Sequence, residues 1–166
     1  MDKKPSILVI DDEQIICVSC KQSLEKEGMS VDCANNGIIG LARLQDEEYD
    51  LVLIDLMMPQ MSGMDVLKAI GKMNKDIVAI LITGFASIES AVEAMKHGAY
   101  DYISKPFTPA ELRRVVHKGL ERRRLLVEAT SLREERVQNL EELAAEQSRL
   151  ETIVNCMGEG LIATNL

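Results

Sequence analysis

The sequence predicts an α/β fold, a parallel sheet with helices on both faces. Three observations predict it. The runs Ile7–Ile10, Leu51–Ile54 and Ile77–Ile82 are continuously apolar, which is the pattern of strands buried on both sides rather than the alternation of a half-exposed sheet. Between such runs lie segments with apolar residues at helical spacing, opened by capping residues and closed by glycine. Strand and helix alternate five times with short connections, and this requires right-handed crossovers onto a parallel sheet.

The first strand, Ser6–Ile10, ends on Asp11-Asp12-Glu13. Ile15, Ile16, Val18 and Leu24 then read as an amphipathic helix closed by Gly28. A short strand follows over Val31–Ala34, and Asn36-Gly37 turns into a helix carrying Ile38, Ile39, Leu41, Ala42 and Leu44, which ends near Asp46-Glu47-Glu48. The central strand over Leu51–Ile54 runs into Asp55. Pro59 and Gly63 mark a loop after it, and Ser62 with Asp65 starts the helix of Met64, Val66, Leu67 and Ile70. Ile77–Ile82 ends on Thr83-Gly84, Ser87 caps a helix through Met95, and Gly98 stops it. Ala99–Ser104 is more polar, as an edge strand would be, and ends on Lys105-Pro106. Thr108-Pro109-Ala110-Glu111 joins an N-cap, a proline at the first helical position and a capping-box glutamate.

Composition narrows the class. A chain of 166 residues that is 46% hydrophobic can bury a core, and with 3% aromatics and no Trp that core must be aliphatic and methionine-rich. A net charge of −8 argues against a general nucleic-acid or anionic-membrane binder. No signal peptide is visible and no run approaches membrane-spanning length, so the expected location is cytoplasmic with reduced thiols. Cys17 and Cys20 form a C-x-x-C inside a helical pattern, with no second pair or His cluster, and read as core-side packing rather than zinc or redox chemistry.

In a parallel sheet all strand tips open on one edge, where open α/β sheets place their chemistry. Here the tips carry Asp11-Asp12, Asp55, Thr83 and Lys105. Asp12 and Asp55 offer hard oxygens suited to Mg²⁺. Asp55 can attack phosphorus to give an acyl phosphate, Mg²⁺ and Lys105 can neutralise the phosphoryl oxygens, and Thr83 can donate a hydrogen bond to one of them. Any one of these residues alone would be unremarkable as a helix cap, a turn or a solvated loop residue; the set of four in order is not.

Ile10-Asp11-Asp12-Glu13, Asp55-Leu-Met-Met-Pro59 with Gly63, Thr83-Gly84 and Lys105-Pro106-Phe107 resemble a response-regulator receiver domain, the phosphoacceptor half of two-component signalling. The resemblance covers about residues 5–125 and implies a flavodoxin-like sheet in the order 2-1-3-4-5. It implies Asp55 as the residue phosphorylated by a histidine kinase. Mg²⁺ would be held by Asp12, Asp55 and the backbone carbonyl of Met57, with Asp11 acting through water. Thr83 and Lys105 would be the switch hydroxyl and the partner lysine, and Tyr102 the switch aromatic that turns inward and remodels the face made by the fourth helix, fifth strand and fifth helix. Apart from its own phosphoryl transfer and autodephosphorylation, such a domain is not an enzyme. Met57 and Phe85 flank the expected path of attacking water and cannot orient it, so slow autodephosphorylation is expected.

The chain continues with a polar helix from Pro109 to about Ile153. Leu140, Leu143, Gln147, Leu150, Val154 and Met157 follow 3-4 spacing, out of phase with Val116, Leu120, Val127 and Val137, as at a stutter. A parallel coiled-coil homodimer is the expectation for residues 126–153, against a solvated single helix that frays. Arg113, Arg114, Lys118 and Arg122–Arg124 are interleaved with Glu111 and Glu121 and read as salt-bridging rather than contacts to nucleic acid. Residues 154–166 are similar to the opening of a PAS sensor domain, a helix and turn leading into a first strand, which would make a PAS or other output module the downstream partner. The rivals are an adaptor with a receiver fold that dimerises without phosphate, and an aspartyl-phosphate phosphatase of the haloacid-dehalogenase type. The phosphatase wants a second Asp where Met57 stands. No G-x-G-x-x-G follows the first strand, which disfavours a dinucleotide site.

Overall fold

The computed structural model describes residues 4–73, 75–84 and 88–163. Five strands, β1 (Ser6–Ile10), β2 (Ser30–Ala34), β3 (Leu51–Asp55), β4 (Val78–Thr83) and β5 (Ala99–Ser104), alternate with helices α1 (Gln14–Glu25), α2 (Gly37–Asp46), α3 (Gly63–Lys72), α4 (Ile88–Lys96) and α5 (Pro109–Ala163). The strands form one sheet in the order β2-β1-β3-β4-β5, and every pairing is parallel. This is the doubly wound architecture expected, with β5 at an edge.

Side chains alternate across each strand, so two cores form. Ile7, Val9, Leu51, Leu53, Ile80 and Ile82 face one way, onto Cys17, Cys20 and Leu24 of α1 and Leu112 and Val116 of α5. Leu8, Ile10, Val52, Ile54 and Leu81 face the other way, onto Leu44 of α2, Val66, Leu67 and Ile70 of α3, and Ala94 of α4. Both faces are covered by helices, which is why the central strands read as unbroken apolar runs.

The helix starts follow the capping signals. In α3 the Ser62 hydroxyl accepts from the Asp65 N–H at 3.2 Å while the Ser62 N–H donates to the Asp65 carboxylate at 3.2 Å. Thr108 and Glu111 repeat this box at α5, and the Asn36 side chain caps α2 by accepting from the Ile39 N–H at 2.8 Å. Gly28 adopts φ 84°, the left-handed geometry that turns the chain out of α1. Ser87 and Phe85 lie outside the described residues.

Two helices bury faces other than those read from their largest side chains. In α1, Ile15 is 74% exposed and Val18 is also exposed, while Cys17, Cys20 and Leu24 are buried. Burial pushes the Cys17 and Cys20 thiols each up to about 12, which disfavours the thiolate form. In α2, Ile38 and Ile39 are exposed and the contact is made by Gly37, Gly40 and Leu44. A Cβ on Gly40 would lie 2.8 Å from Ile10 Cγ1, so bare backbone is what lets α2 approach the sheet.

The chain divides into two units, residues 1–126 and 127–166. In the second, α5 continues as helix through Ala163, where a turn and strand were expected within residues 154–166. A strand draws its hydrogen bonds from neighbouring strands, and no strand occurs among the described residues after Leu126, whereas a helix satisfies its backbone locally. Leu140, Leu143, Leu150, Val154 and Met157 are all 57–66% exposed, an apolar series along a polar helix.

Candidate functional site

The parallel register brings four strand ends to one edge. Asp11 follows β1, Asp55 ends β3, Thr83 ends β4 and Lys105 follows β5. Asp11 is fully buried, Asp55 and Thr83 nearly so, and Asp12 is exposed. Backbone bonds hold the tips in place: Asp11 N–H donates to Ala34 O at 3.1 Å, Leu56 N–H to Ile82 O at 2.9 Å, and Lys105 N–H to Thr83 O at 2.7 Å.

Lys105 is the hub. Its ammonium lies 2.9 Å from Asp11 Oδ2, 3.0 Å from Asp55 Oδ2 and 2.9 Å from Glu13 Oε1. The other oxygens of the two aspartates are held by backbone: Glu13 N–H donates to Asp11 Oδ1 at 2.8 Å, and Met57 N–H to Asp55 Oδ1 at 3.2 Å. Burial pushes the Asp11 carboxyl above its ordinary value, against the hydrogen bonds from Lys105 and Glu13 that favour its charge. Desolvation works against the charge on Lys105, but the carboxylates of Glu13, Asp11 and Asp55 outweigh it and raise its pKa, so the lysine is fully cationic.

Asp11, Asp12 and Asp55 each offer a carboxylate oxygen, and these lie within 4.8 Å of one another. Asp11 Oδ2 is buried, with the Lys105 ammonium as its one close partner among the described residues. Hard carboxylate oxygens that close together fit a small hard cation. The structure gathers Asp11, Asp12, Asp55 and Lys105 at this edge, with Thr83 at the adjoining tip. Met57 lies just past Asp55, its side chain 65% exposed. Tyr102 is apart from the cluster, on the outward side of β5 and 41% exposed, paired in register with Leu81. Glu13 is the residue that sequence reasoning left without a role. Its acidity was visible beside Asp11-Asp12, but not its reach to a lysine 92 residues away.

Residues 7–117 match the family model described as response regulator receiver domain. The chain belongs to that family. Among solved structures, this receiver is similar to the CheY-like receiver domain protein of Methanospirillum hungatei JF-1, at a TM-score of 0.71 and 34% identity over 74% of this chain and 98% of that one. It is also similar to NtrX of Brucella abortus, at a TM-score of 0.73 and 32% identity over 78% of this chain and 30% of that one. Curated relatives include the C4-dicarboxylate transport transcriptional regulatory protein DctD of Rhizobium meliloti (strain 1021), 35% identical over 80% of this chain and 29% of the relative. Regulatory protein AtoC of Escherichia coli (strain K12) is 37% identical over 69% of this chain and 25% of the relative. The receiver therefore spans about a quarter to a third of these relatives' length. No helix among its described residues is long and apolar enough to cross a membrane.

Proposed function

We propose that this receiver is a phosphorylation-activated switch in which Asp55 takes a phosphoryl group from a histidine kinase. The observation that carries the reading is the environment of Asp55: one oxygen on the Lys105 ammonium, the other on the Met57 N–H, with two further carboxylates alongside. A carboxylate so held is oriented toward incoming phosphorus, and its attack forms an O–P bond as the donor's N–P bond breaks.

Asp12, Asp55 and the Met57 carbonyl are the groups that would hold Mg²⁺, with Asp11 acting through water. Bound there, Mg²⁺ supplies charge neutralisation at the phosphoryl oxygens. Lys105 contributes the fixed positive charge of the site, and the Thr83 hydroxyl stands at the next strand tip to donate to a phosphoryl oxygen. That donation stabilises one of two pre-existing states, in which Tyr102 turns from its outward position and the surface of α4, β5 and α5 is remodelled.

Output passes through α5. Residues 1–125 form the receiver, and residues 126–153 form a coiled-coil signalling helix that pairs with a second copy through Leu140, Leu143, Leu150 and Val154. The exposure of these side chains on a helix of mostly polar residues supports this, because apolar surface at 3-4 spacing is covered most economically by an identical helix in parallel. Beyond it lies a PAS-like or other output module. The names of the curated relatives make transcriptional control one class of output.

The deciding experiment is intact mass after incubation with Mg²⁺ and phosphoramidate, for wild type and Asp55→Asn, with light scattering on the same samples. One phosphoryl adduct, lost in the variant, is expected. Absence of an adduct with every small donor and with kinase overturns the switch and leaves an adaptor that dimerises without phosphate.

A further inference from the structure

We infer that Glu13 is a positioning residue that holds Lys105 back in the resting state and is the contact released when Lys105 turns to a phosphoryl oxygen of the incoming donor, before the O–P bond forms; this rests on the phosphoacceptor reading above. A lysine ammonium has three N–H donors. Here carboxylate oxygens of Asp11, Glu13 and Asp55 stand around it at 2.9, 2.9 and 3.0 Å. The ammonium is ringed by these three carboxylates, so turning toward a phosphoryl oxygen draws it away from at least one of them.

The three are not equivalent. The Asp11 side chain is 0% exposed and that of Asp55 is 5% exposed, and Asp55 keeps its charge until the O–P bond forms, so leaving either without its cation while the donor approaches strands a charge away from water. The Glu13 side chain is 56% exposed, and beside it a groove of about 380 Å³, lined by Glu13, Ile16, Ser19, Lys105, Pro106 and Phe107, opens to solvent. Water replaces the lysine at Glu13 at little cost. Asp11 and Asp55 are held further by the Glu13 and Met57 N–H groups, whereas no other contact of the Glu13 carboxylate is seen among the described residues. The release point is therefore Glu13, and its grip sets how readily Lys105 becomes available.

The test is the rate of phosphorylation of the full chain in Mg²⁺, followed by intact mass, for wild type, Glu13→Gln and Glu13→Asp. Two donors are used: acetyl phosphate, and phosphoramidate, which carries less negative charge at neutral pH. Glu13→Gln removes charge and contact. Glu13→Asp keeps the charge but shortens the reach. The expected result is that both variants react at least about threefold faster than wild type with both donors, the scale of one partly exposed ion pair. A smaller gain in either variant, or a gain confined to the more highly charged donor, overturns the inference, because a general field effect would spare Glu13→Asp and follow donor charge. A wild-type chain that takes no phosphoryl group overturns the phosphoacceptor reading, and the role of Glu13 falls with it.

Discussion

Gly63, the first residue of α3, packs against the backbone carbonyl of Asp55. A Cβ at this position would overlap that oxygen and lie 2.8 Å from Leu56 Cα. The Gly63 N–H also donates to Leu56 O at 3.0 Å, so the helix start is tied directly to the end of the acid-bearing strand. Both neighbours are backbone and cannot rotate away. Gly63→Ala should therefore lower stability by about 1–3 kcal/mol, the usual cost of overpacking, and slow adduct formation on Asp55 by displacing the carboxylate. Urea unfolding and intact mass measure the two effects on one sample.

Met57 has a thioether where a water-orienting group would act on an acyl phosphate at Asp55, and it is well exposed to solvent. The phosphorylated chain should persist for minutes or longer once the donor is removed. Met57→Asn or Met57→Glu should shorten that lifetime roughly tenfold, a modest positioning effect. Loss of the adduct within seconds in wild type would contradict this.

Hydrogen bonds from Ser62 and Thr108 hold the Asp65 and Glu111 carboxyls below their ordinary values. A lowered folded-state pKa means that the ionised form favours folding. The contribution is complete above the unfolded values near 3.8 and 4.5, and it is lost as pH falls through the lowered values. The urea midpoint of wild type should therefore drop between pH 5 and strongly acid solution. In Asp65→Asn/Glu111→Gln the midpoint should start lower at pH 7 and fall less over the same range.

Cys17 and Cys20 are buried, which pushes their thiols up to about 12, whereas Cys156 is exposed on α5. At pH 8 iodoacetamide should label Cys156 first and leave Cys17 and Cys20 unmodified until the chain unfolds in denaturant. Peptide mapping of the labelled protein gives the order.

The exposed series on α5 should respond to charge. Leu143→Lys places a like charge on both helices of a parallel pair and should shift the chain to monomer in light scattering, while far-ultraviolet dichroism of the receiver portion is retained. An unchanged mass would remove the coiled-coil dimer.

Much of the site was legible because its members are strand-end residues. An apolar run that terminates in Asp11 or Asp55, or continues into Thr83, announces both a strand and the chemistry at its tip, and the more polar edge strand before Lys105 does so more weakly. The helix starts at Ser62 and Thr108 were equally legible, since a capping box spans four residues. The buried faces of α1 and α2 were not. Cys17 and Cys20 were read as core-side and are, but Ile15, Val18, Ile38 and Ile39, with the larger apolar side chains, are exposed, and Gly40 makes the contact of α2, because close approach to the sheet selects small residues.

By itself, the sequence determined the elements, their alternation, the sheet-edge location of Asp11, Asp12, Asp55, Thr83 and Lys105, and the caps that begin α2, α3 and α5. All of these follow from periodicity and spacing within a few residues. Only the tertiary structure decided that Lys105 is shared by three carboxylates, two of them 50 and 92 residues away in the chain. It also decided that Glu13 is the exposed member of the three, and that α5 stays helical through Ala163. The reason is physical: a side chain 92 positions distant is brought within 2.9 Å by strand order and register, and no local pattern encodes that distance.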